Sequence, residues 1–99
     1  MEQFAVDLPV RDRVIIEGRL DFATVPQLRA ILAGVRGDVE VDCTRMTFID
    51  RSGFEALTFG YVVATSQGYD FSVTGLNDFA ARVARLLEVP FLPTAVPAQ

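Results

Sequence analysis

Ser52 is the residue of this sequence whose type and position could carry chemistry. It follows an apolar, β-prone run at residues 47–49 that stops at Asp50, and it precedes a long small-and-apolar segment that extends to Gln67. A strand that turns into a helix here would leave the Ser52 hydroxyl at the helix N-terminus. Free backbone N–H groups and the positive end of the helix dipole favour an anion there. A phosphate on Ser52 would therefore be well placed.

The same residues also fit a purely structural role. Ser52 and Glu55 have the spacing of a capping box, in which the serine and glutamate side chains satisfy free N–H groups at the start of a helix. Serine is also among the residues most favoured as a helix cap. From the residues alone, a capping serine and a modification site are both open, and both predict a helix over about residues 52–67.

Two carboxylates are expected close to Ser52. Asp21 and Asp50 each follow a predicted strand and precede a predicted helix, so parallel strands would bring both to one end of the sheet. There they could hydrogen-bond the hydroxyl or repel a phosphate placed on it. Capping of their own turns is an equal alternative. Acid–base catalysis is a third, but no nucleophile–base pair or pocket-forming loop in the sequence supports it.

Composition narrows the class of protein. The chain has 99 residues, 51% of them hydrophobic, which suits one domain with a real core. Its net charge is −4, and its nine basic residues are all scattered arginines, so we expect neither nucleic-acid nor anionic-membrane binding. One Cys and no His exclude an internal disulfide, a Cys/His zinc site and a Ser-His-Asp triad. Cys43 alternates with valines and is predicted to be a small buried residue.

The sequence motifs of common enzymes are missing. There is no Lys to complete a Walker-type phosphate loop and no Gly-x-Ser-x-Gly element, so we expect a protein without enzymatic activity, cofactor or metal. No secretion signal or bilayer-length apolar run is seen, which predicts a cytoplasmic protein without direct membrane insertion.

Hydrophobic periodicity predicts the element order β-β-α-β-α-β-α. This is an α/β fold with a mixed sheet packed against helices. We expect one domain over residues 1–89 and a Pro-rich tail over 90–99, with Phe91 and Leu92 against the body. Pro9 predicts an edge position or strand end for the first strand, and residues 11–13 are expected to form the turn of a hairpin.

The helices are predicted to be amphipathic. In the second helix, Phe54, Leu57 and Ala64 should face the sheet, which leaves Phe59, Val62 and Val63 partly outside that stripe. Either these side chains form a partner surface or the helix is more deeply buried than its pattern indicates. In the last helix, capped by Asn77, we expect inward-facing large apolar residues: Phe79, Val83, Leu86 and Leu87.

Three blocks of the chain resemble, in the right order, the signature elements of STAS domains, the modules shared by anti-sigma factor antagonists and sulfate transporters. They are residues 17–24 (EGRLDFAT), 42–54 (DCTRMTFIDRSGF) and 73–76 (VTGL). The resemblance spans roughly residues 5–89. It implies a STAS-like fold and a module that binds an anti-sigma factor, itself a Ser/Thr kinase, and so frees the sigma factor.

By this resemblance Ser52 matches the residue that the kinase phosphorylates, and Asp21, Asp50, Arg51 and Gly53 flank the phosphosite. The helix and its preceding loop form much of the partner-binding face, which we expect to include Phe54, Glu55, Phe59, Val62 and Val63. Phosphorylation would end the complex and a phosphatase would reset it. We expect a monomer or a weak homodimer.

The chain departs from the family pattern at two positions beside Ser52. Arg51 replaces a small hydroxyl residue, and Glu55 stands where a small or apolar residue is usual. The arginine could pair with a phosphate, whereas the glutamate would oppose it. These departures favour an alternative role as a non-phosphorylated STAS scaffold subunit of a larger signalling or phospholipid-transport assembly.

Overall fold

The structure, a computed structural model, describes residues 4–10 and 13–92. The elements in chain order are β1 (Ala5–Val10), β2 (Arg13–Leu20), α1 (Val25–Ala33), β3 (Val39–Ile49), α2 (Arg51–Ser66), β4 (Phe71–Thr74) and α3 (Asp78–Leu86). The sheet order is β1-β2-β3-β4. β1 pairs antiparallel with β2, while β2, β3 and β4 are parallel. The predicted α/β class and element order are confirmed.

β1 lies at the edge of the sheet, as Pro9 predicted. Its register against β2 shifts between Asp7 and Val10, and an edge is where a proline can be accommodated because its missing N–H removes no bond to a second neighbour. Arg13 belongs to β2 rather than to the predicted turn, and residues 11–12 lie outside the described residues.

The core is formed by alternate residues of the three parallel strands. Buried side chains on them include Val14, Ile16, Val41 and Val73, as expected for strands with one face against helices. Cys43 is buried among them, which confirms its predicted place, and burial raises the pKa of its thiol to about 12. Polar residues alternate with these buried residues along the strands. Among them, the ion pairs Arg13–Glu40 (3.4 Å) and Arg45–Glu17 (2.8 Å) link β2 to β3.

α2 packs closely on α1 and β4. Phe54, Leu57 and Ala64 are buried, as predicted. Gly60 lies between them, where a Cβ atom would stand 2.6 Å from Leu32 Cδ1 and 2.9 Å from the Phe71 ring. The absence of a side chain at this position therefore sets how near α2 can come to its neighbours.

The predicted inward face of α3 is wrong except at Val83, which packs partly against the core. Its buried residues are Ala80 and Ala84, whereas Phe79 and Leu86 are 76% and 77% exposed. Val83 is half-buried and Leu87 is exposed. The Asn77 side chain caps the helix at the predicted position by accepting from Ala80 N–H at 2.8 Å. The buried stripe of α3 is thus formed by small alanines, and the larger Phe79 and Leu86 beside it point outward.

The segment after α3 returns to the body. Glu88 has a positive φ of 57° at the helix end, and Phe91 is buried with its ring edge-on to Phe71, 6.2 Å between centroids. Leu92 packs partly against the same core, so the predicted contacts of Phe91 and Leu92 are confirmed. Residues 93–99 of the predicted tail lie outside the described residues. Within the described part of the chain, no helix has the length and apolarity needed to cross a bilayer.

Candidate functional site

The site lies where β2 and β3 end together. Leu20 and Ile49 are register partners in the two parallel strands, so Asp21 and Asp50, the next residue of each strand, leave the sheet at one edge. The backbone N–H of Asp50 donates to the Leu20 carbonyl at 3.3 Å. The predicted convergence of these two turns is confirmed.

Asp50 is the residue that starts α2. It occupies the N-cap with extended backbone angles, and its Oδ1 accepts from the Gly53 N–H at 3.0 Å. Ser52 lies within the first turn, and its hydroxyl donates to the same Oδ1 at 2.6 Å. The predicted capping box of Ser52 and Glu55 is therefore wrong. Asp is as good a cap as Ser, and the contact between Asp50 and Leu20 fixes the helix start one residue earlier than predicted.

The hydrogen bond from Ser52 to Asp50 holds and polarises the hydroxyl. Its length of 2.6 Å is typical of an O–H group that donates to a carboxylate. A carboxylate in this position can accept the proton of a hydroxyl that attacks a phosphoryl group. The same carboxylate would face a phosphate once one is attached, at a distance where like charges repel strongly. The half-buried Ser52 thus fits its site best as a neutral hydroxyl.

The pKa of Asp50 lies below its ordinary value. Partial burial acts to raise this pKa, but the hydrogen bonds from the Ser52 hydroxyl and from the N–H groups of Gly53, Phe22 and Ser52 together outweigh it. These donors favour the ionised carboxylate. The pKa of Asp50 is thus lowered in part by the N–H of Phe22, in the loop between β2 and α1.

Asp21 organises its own turn. Its Oδ1 accepts from Ala23 N–H at 3.1 Å, and its Oδ2 lies 3.3 Å from Arg19 Nε. Burial acts to raise the pKa of Asp21, but the bonds from Arg19, Ala23 and Thr24 lower it overall. Thr24 stands at the N-cap of α1 but makes no cap bond; its hydroxyl donates to the Arg19 carbonyl at 2.9 Å. The structure thus gives Asp21 the turn-capping geometry that was one of its open alternatives.

Arg51 and Glu55 are directed at each other on the outer side of α2. Arg51 Nε lies 3.4 Å from Glu55 Oε2, and both side chains are mostly exposed. Exposed pairs of this kind contribute only about 0.2–1 kcal/mol and are screened by salt. Either charge can therefore turn to a new partner, such as a phosphate on Ser52 or a group on another protein, at small cost.

Gly53 allows α2 to begin against the end of β2. A Cβ atom here would lie 2.6 Å from Ile49 Cγ1 and 2.8 Å from the Leu20 carbonyl oxygen. The second contact is with backbone, which cannot move aside as a flexible side chain can. The predicted phosphosite neighbour Gly53 is thus the residue that sets the spacing between Ser52 and the end of β2.

The predicted docking residues of α2 are less exposed than the sequence indicated. Phe54 is 3% exposed and belongs to the core, so it offers almost no surface to a partner. Phe59 is half-buried beneath Arg29, whose guanidinium lies 4.1 Å from the ring centroid, and Val63 is half-buried too. Val62 is 56% exposed. The docking surface expected on α2 therefore reduces mainly to Glu55 and Val62.

Sequence analysis missed two aromatic residues at the site. Phe22 directly follows Asp21 and is 83% exposed, and Phe48, two residues before Asp50, is 41% exposed. Arg19 connects them, because its guanidinium lies 4.1 Å from the Phe48 ring centroid and its Nε contacts Asp21. The available signal was a phenylalanine in a polar strand-to-helix turn, where no core position is expected.

Two surface cavities adjoin these residues. One of about 210 Å³ lies between the end of β3 and α3 and is lined by uncharged residues that include Phe48, Phe54 and Phe79. The other, of about 280 Å³, lies between the first turns of α2 and the end of α3, beside Arg51 and Glu55. The described residues hold no cluster of three or more His, Cys, Asp or Glu side chains that could bind a metal ion.

A sequence profile described as "Mlab, STAS domain" matches residues 5–90. The chain therefore belongs to the STAS domain family, as its sequence blocks predicted. No curated protein sequence matches it significantly.

Solved structures of anti-sigma factor antagonists have a similar fold. The chain is similar to the anti-sigma factor antagonist SpoIIAA in its unphosphorylated form, with a TM-score of 0.70 and 20% identity over 95% of this chain and 90% of that one. For the Bacillus cell fate determinant SpoIIAA in the phosphorylated form, the TM-score is 0.70 at 19% identity, over 92% and 89%. An antisigma-factor antagonist STAS domain from Rhodobacter sphaeroides has a TM-score of 0.57 at 22% identity, over 77% and 88%. At identities this low, the structural similarity shows a shared fold and no more.

The close approach at Gly53 gives a first prediction. Gly53→Ala should lower the free energy of unfolding by about 1–2 kcal/mol, because overpacking costs about 1–3 kcal/mol and the helix propensity of alanine returns at most about 1. Gly37→Ala is the matched control, since nothing lies within 4 Å of its Cβ position; it should be neutral or slightly stabilising. Urea unfolding of both variants measures the difference. Equal stabilities would show that α2 does not depend on the glycine.

The lowered pKa of Asp50 gives a second prediction, on the pH dependence of stability. Its ionised form stabilises the fold above the ordinary Asp pKa of about 3.9, and this stabilisation is lost as the pH falls through the lower folded-state pKa. Asp50→Asn keeps a cap oxygen for Gly53 but not the charge. In urea unfolding across about pH 2–7, wild type should be more stable than the variant above about pH 5, and the gap should close in acid. A gap that is constant with pH would contradict this.

Proposed function

We propose that this chain is an anti-sigma factor antagonist that binds a Ser/Thr-kinase-type anti-sigma factor and is switched off by phosphorylation at Ser52. The observation that carries the proposal is the hydroxyl of Ser52, half-exposed at the start of α2 and held 2.6 Å from the Asp50 carboxylate. Membership of the STAS family and similarity to the two SpoIIAA structures and the Rhodobacter antagonist support it. The chain itself acts by binding and performs no catalysis, in the cytoplasm where sigma factors work.

The switch follows from charge. A phosphoserine carries about −1.5 to −2 charges near neutral pH. At Ser52 it would replace the donor to Asp50 with an anion, and it would add to the negative charge of Glu55. A partner that covers this edge would have to desolvate that added charge, which is costly unless a cation pairs with it. Phosphorylation therefore favours the free protein, and a phosphatase restores the binding form.

The flanking residues take defined parts in this proposal. Asp50 orients the hydroxyl, Gly53 brings it to the end of β2, and Asp21 shapes the neighbouring turn. Arg51 is the cation that a phosphate on Ser52 could recruit from Glu55, because their pair is exposed and weak.

One observation favours a second candidate, a constitutive scaffold subunit of a signalling or phospholipid-transport assembly. Arg51 and Glu55, the two departures from the family pattern beside Ser52, pair with each other and leave Ser52 donating to Asp50. In a scaffold, that hydroxyl would only strengthen the start of α2. The two candidates differ in whether the charge state of Ser52 controls binding.

Binding and phosphorylation by the purified kinase-type anti-sigma factors of the same genome test the proposal. Wild type should bind one of them and accept one phosphate per chain in the presence of ATP. Ser52→Ala should bind but accept none, and Ser52→Asp should bind at least about 10-fold more weakly, a loss of about 1.4 kcal/mol. Titration calorimetry and intact-mass measurement give the two readouts.

Ser66→Asp is the control, because it places the same charge in an exposed position at the far end of the same helix. It should bind as wild type does. Equal affinities for Ser52→Asp and wild type would exclude the switch and favour the scaffold.

A further inference from the structure

The most exposed apolar side chain beside the site is Phe22, and the sequence pattern did not assign it a role. It lies in the loop between β2 and α1, follows Asp21 and is 83% exposed. Phe48 at the end of β3 is also exposed, and the contacts from Phe48 through Arg19 to Asp21 join the two into one surface. We call Phe22 and Phe48 the aromatic pair.

We propose that the aromatic pair, and not the outer face of α2, is the apolar centre of the surface that docks onto the anti-sigma factor. This inference rests on the proposed function and specifies its partner surface. The partner should offer an apolar depression for Phe22, with basic side chains around it that face the carboxylates of Asp21 and Glu55.

Distance from Ser52 separates the two possible surfaces. Val62, the exposed apolar residue of α2, lies ten residues along the helix from Ser52, which corresponds to about 15 Å at 1.5 Å per residue. Exposed charges act over a screening length of only about 8–10 Å at physiological salt. A phosphate on Ser52 would therefore have little influence on a contact centred at Val62.

The aromatic pair, in contrast, is connected to Ser52 through Asp50. The Ser52 hydroxyl donates to that carboxylate at 2.6 Å, and the Asp50 N–H binds the Leu20 carbonyl two residues before Phe22. The Phe22 N–H is also near enough to contribute to the lowered pKa of Asp50. A phosphate that repels Asp50 would act on the loop that carries Phe22. The aromatic pair is thus placed where the charge state of Ser52 can control docking.

The chemistry of the surroundings indicates the kind of partner. This edge carries the carboxylates of Asp21, Asp50 and Glu55 together with Arg19 and Arg51, which pair with Asp21 and Glu55. It therefore has one more negative than positive charge among these residues, in a chain of net charge −4. Phe48 also borders the uncharged cavity of about 210 Å³ between β3 and α3, which could receive an apolar side chain of the partner. Charge complementarity of this sort mainly raises the rate of association and sets specificity.

Titration of purified variants with the anti-sigma factor tests the inference. Phe22→Ala and Phe48→Ala should each weaken the dissociation constant about 10- to 30-fold, as loss of an aromatic interface anchor does. Val62→Ala should change it less than about 2-fold. Leu86→Ala is the matched control, since Leu86 on α3 is an apolar side chain about as exposed as Phe22. This variant should bind as wild type does.

Thermal unfolding of the Phe22→Ala protein should match that of wild type, because so exposed a side chain contributes little to folding. Loss of binding with unchanged stability therefore reports on docking. Amide exchange at Asp50 adds a readout without the partner: it should be faster when Ser52 carries a phosphate, since repulsion of the Asp50 carboxylate disturbs the bond from its N–H to the Leu20 carbonyl.

The outcomes separate this inference from the function on which it rests. If Ser52→Asp weakens binding and Val62→Ala does too, while the aromatic variants bind normally, the docking surface lies on α2 and the inference is wrong although the function stands. If wild type binds no kinase-type anti-sigma factor of its genome, the proposed function fails and the inference fails with it.

Discussion

The Asp50 carboxylate is the group on which the whole site depends. It caps α2 through Gly53, receives the Ser52 hydroxyl and is tied to the end of β2 by its own backbone N–H. These contacts require α2 to begin in contact with Leu20, and Gly53 is what allows that approach. One ionised carboxyl thus joins the strand end, the helix start and the hydroxyl of Ser52. Its donors stabilise the charge it already has and leave no favourable place for a second charge beside it.

Much of this edge could be predicted from the sequence. Alternating apolar residues located the strands, and parallel pairing required Asp21 and Asp50 to meet at the same end of the sheet. The start of α2 could not be predicted in the same way, because Asp50 and Ser52 are both good caps two residues apart. Packing between Gly53 and the end of β2 decides between them, and that contact joins residues distant in the sequence.

The errors in predicting which apolar residues are exposed have a different origin. Periodicity assigns large apolar residues to the core, yet α3 buries Ala80 and Ala84 and exposes Phe79. Phe22 lies in a turn, where periodicity carries no information, so its exposure appears only in three dimensions. On α2 the pattern placed Phe54 in the core and the family resemblance placed it on the partner face, and the structure keeps it in the core. A binary pattern therefore misplaces large apolar residues that lie on the surface.

The central claim is that the cell changes the charge of Ser52, and mass measurement on protein isolated from its own cells tests it most directly. Cleavage after glutamate releases residues 41–55, which contain Ser52 with Thr44 and Thr47 as the other hydroxyl residues, so fragment ions can place a phosphate on one of the three. A phosphate on Ser52 in part of the population, with the fraction changing between growth and starvation, is the predicted result. Fully unmodified Ser52 under growth, stress and starvation alike would contradict the account and leave the hydroxyl a structural partner of Asp50.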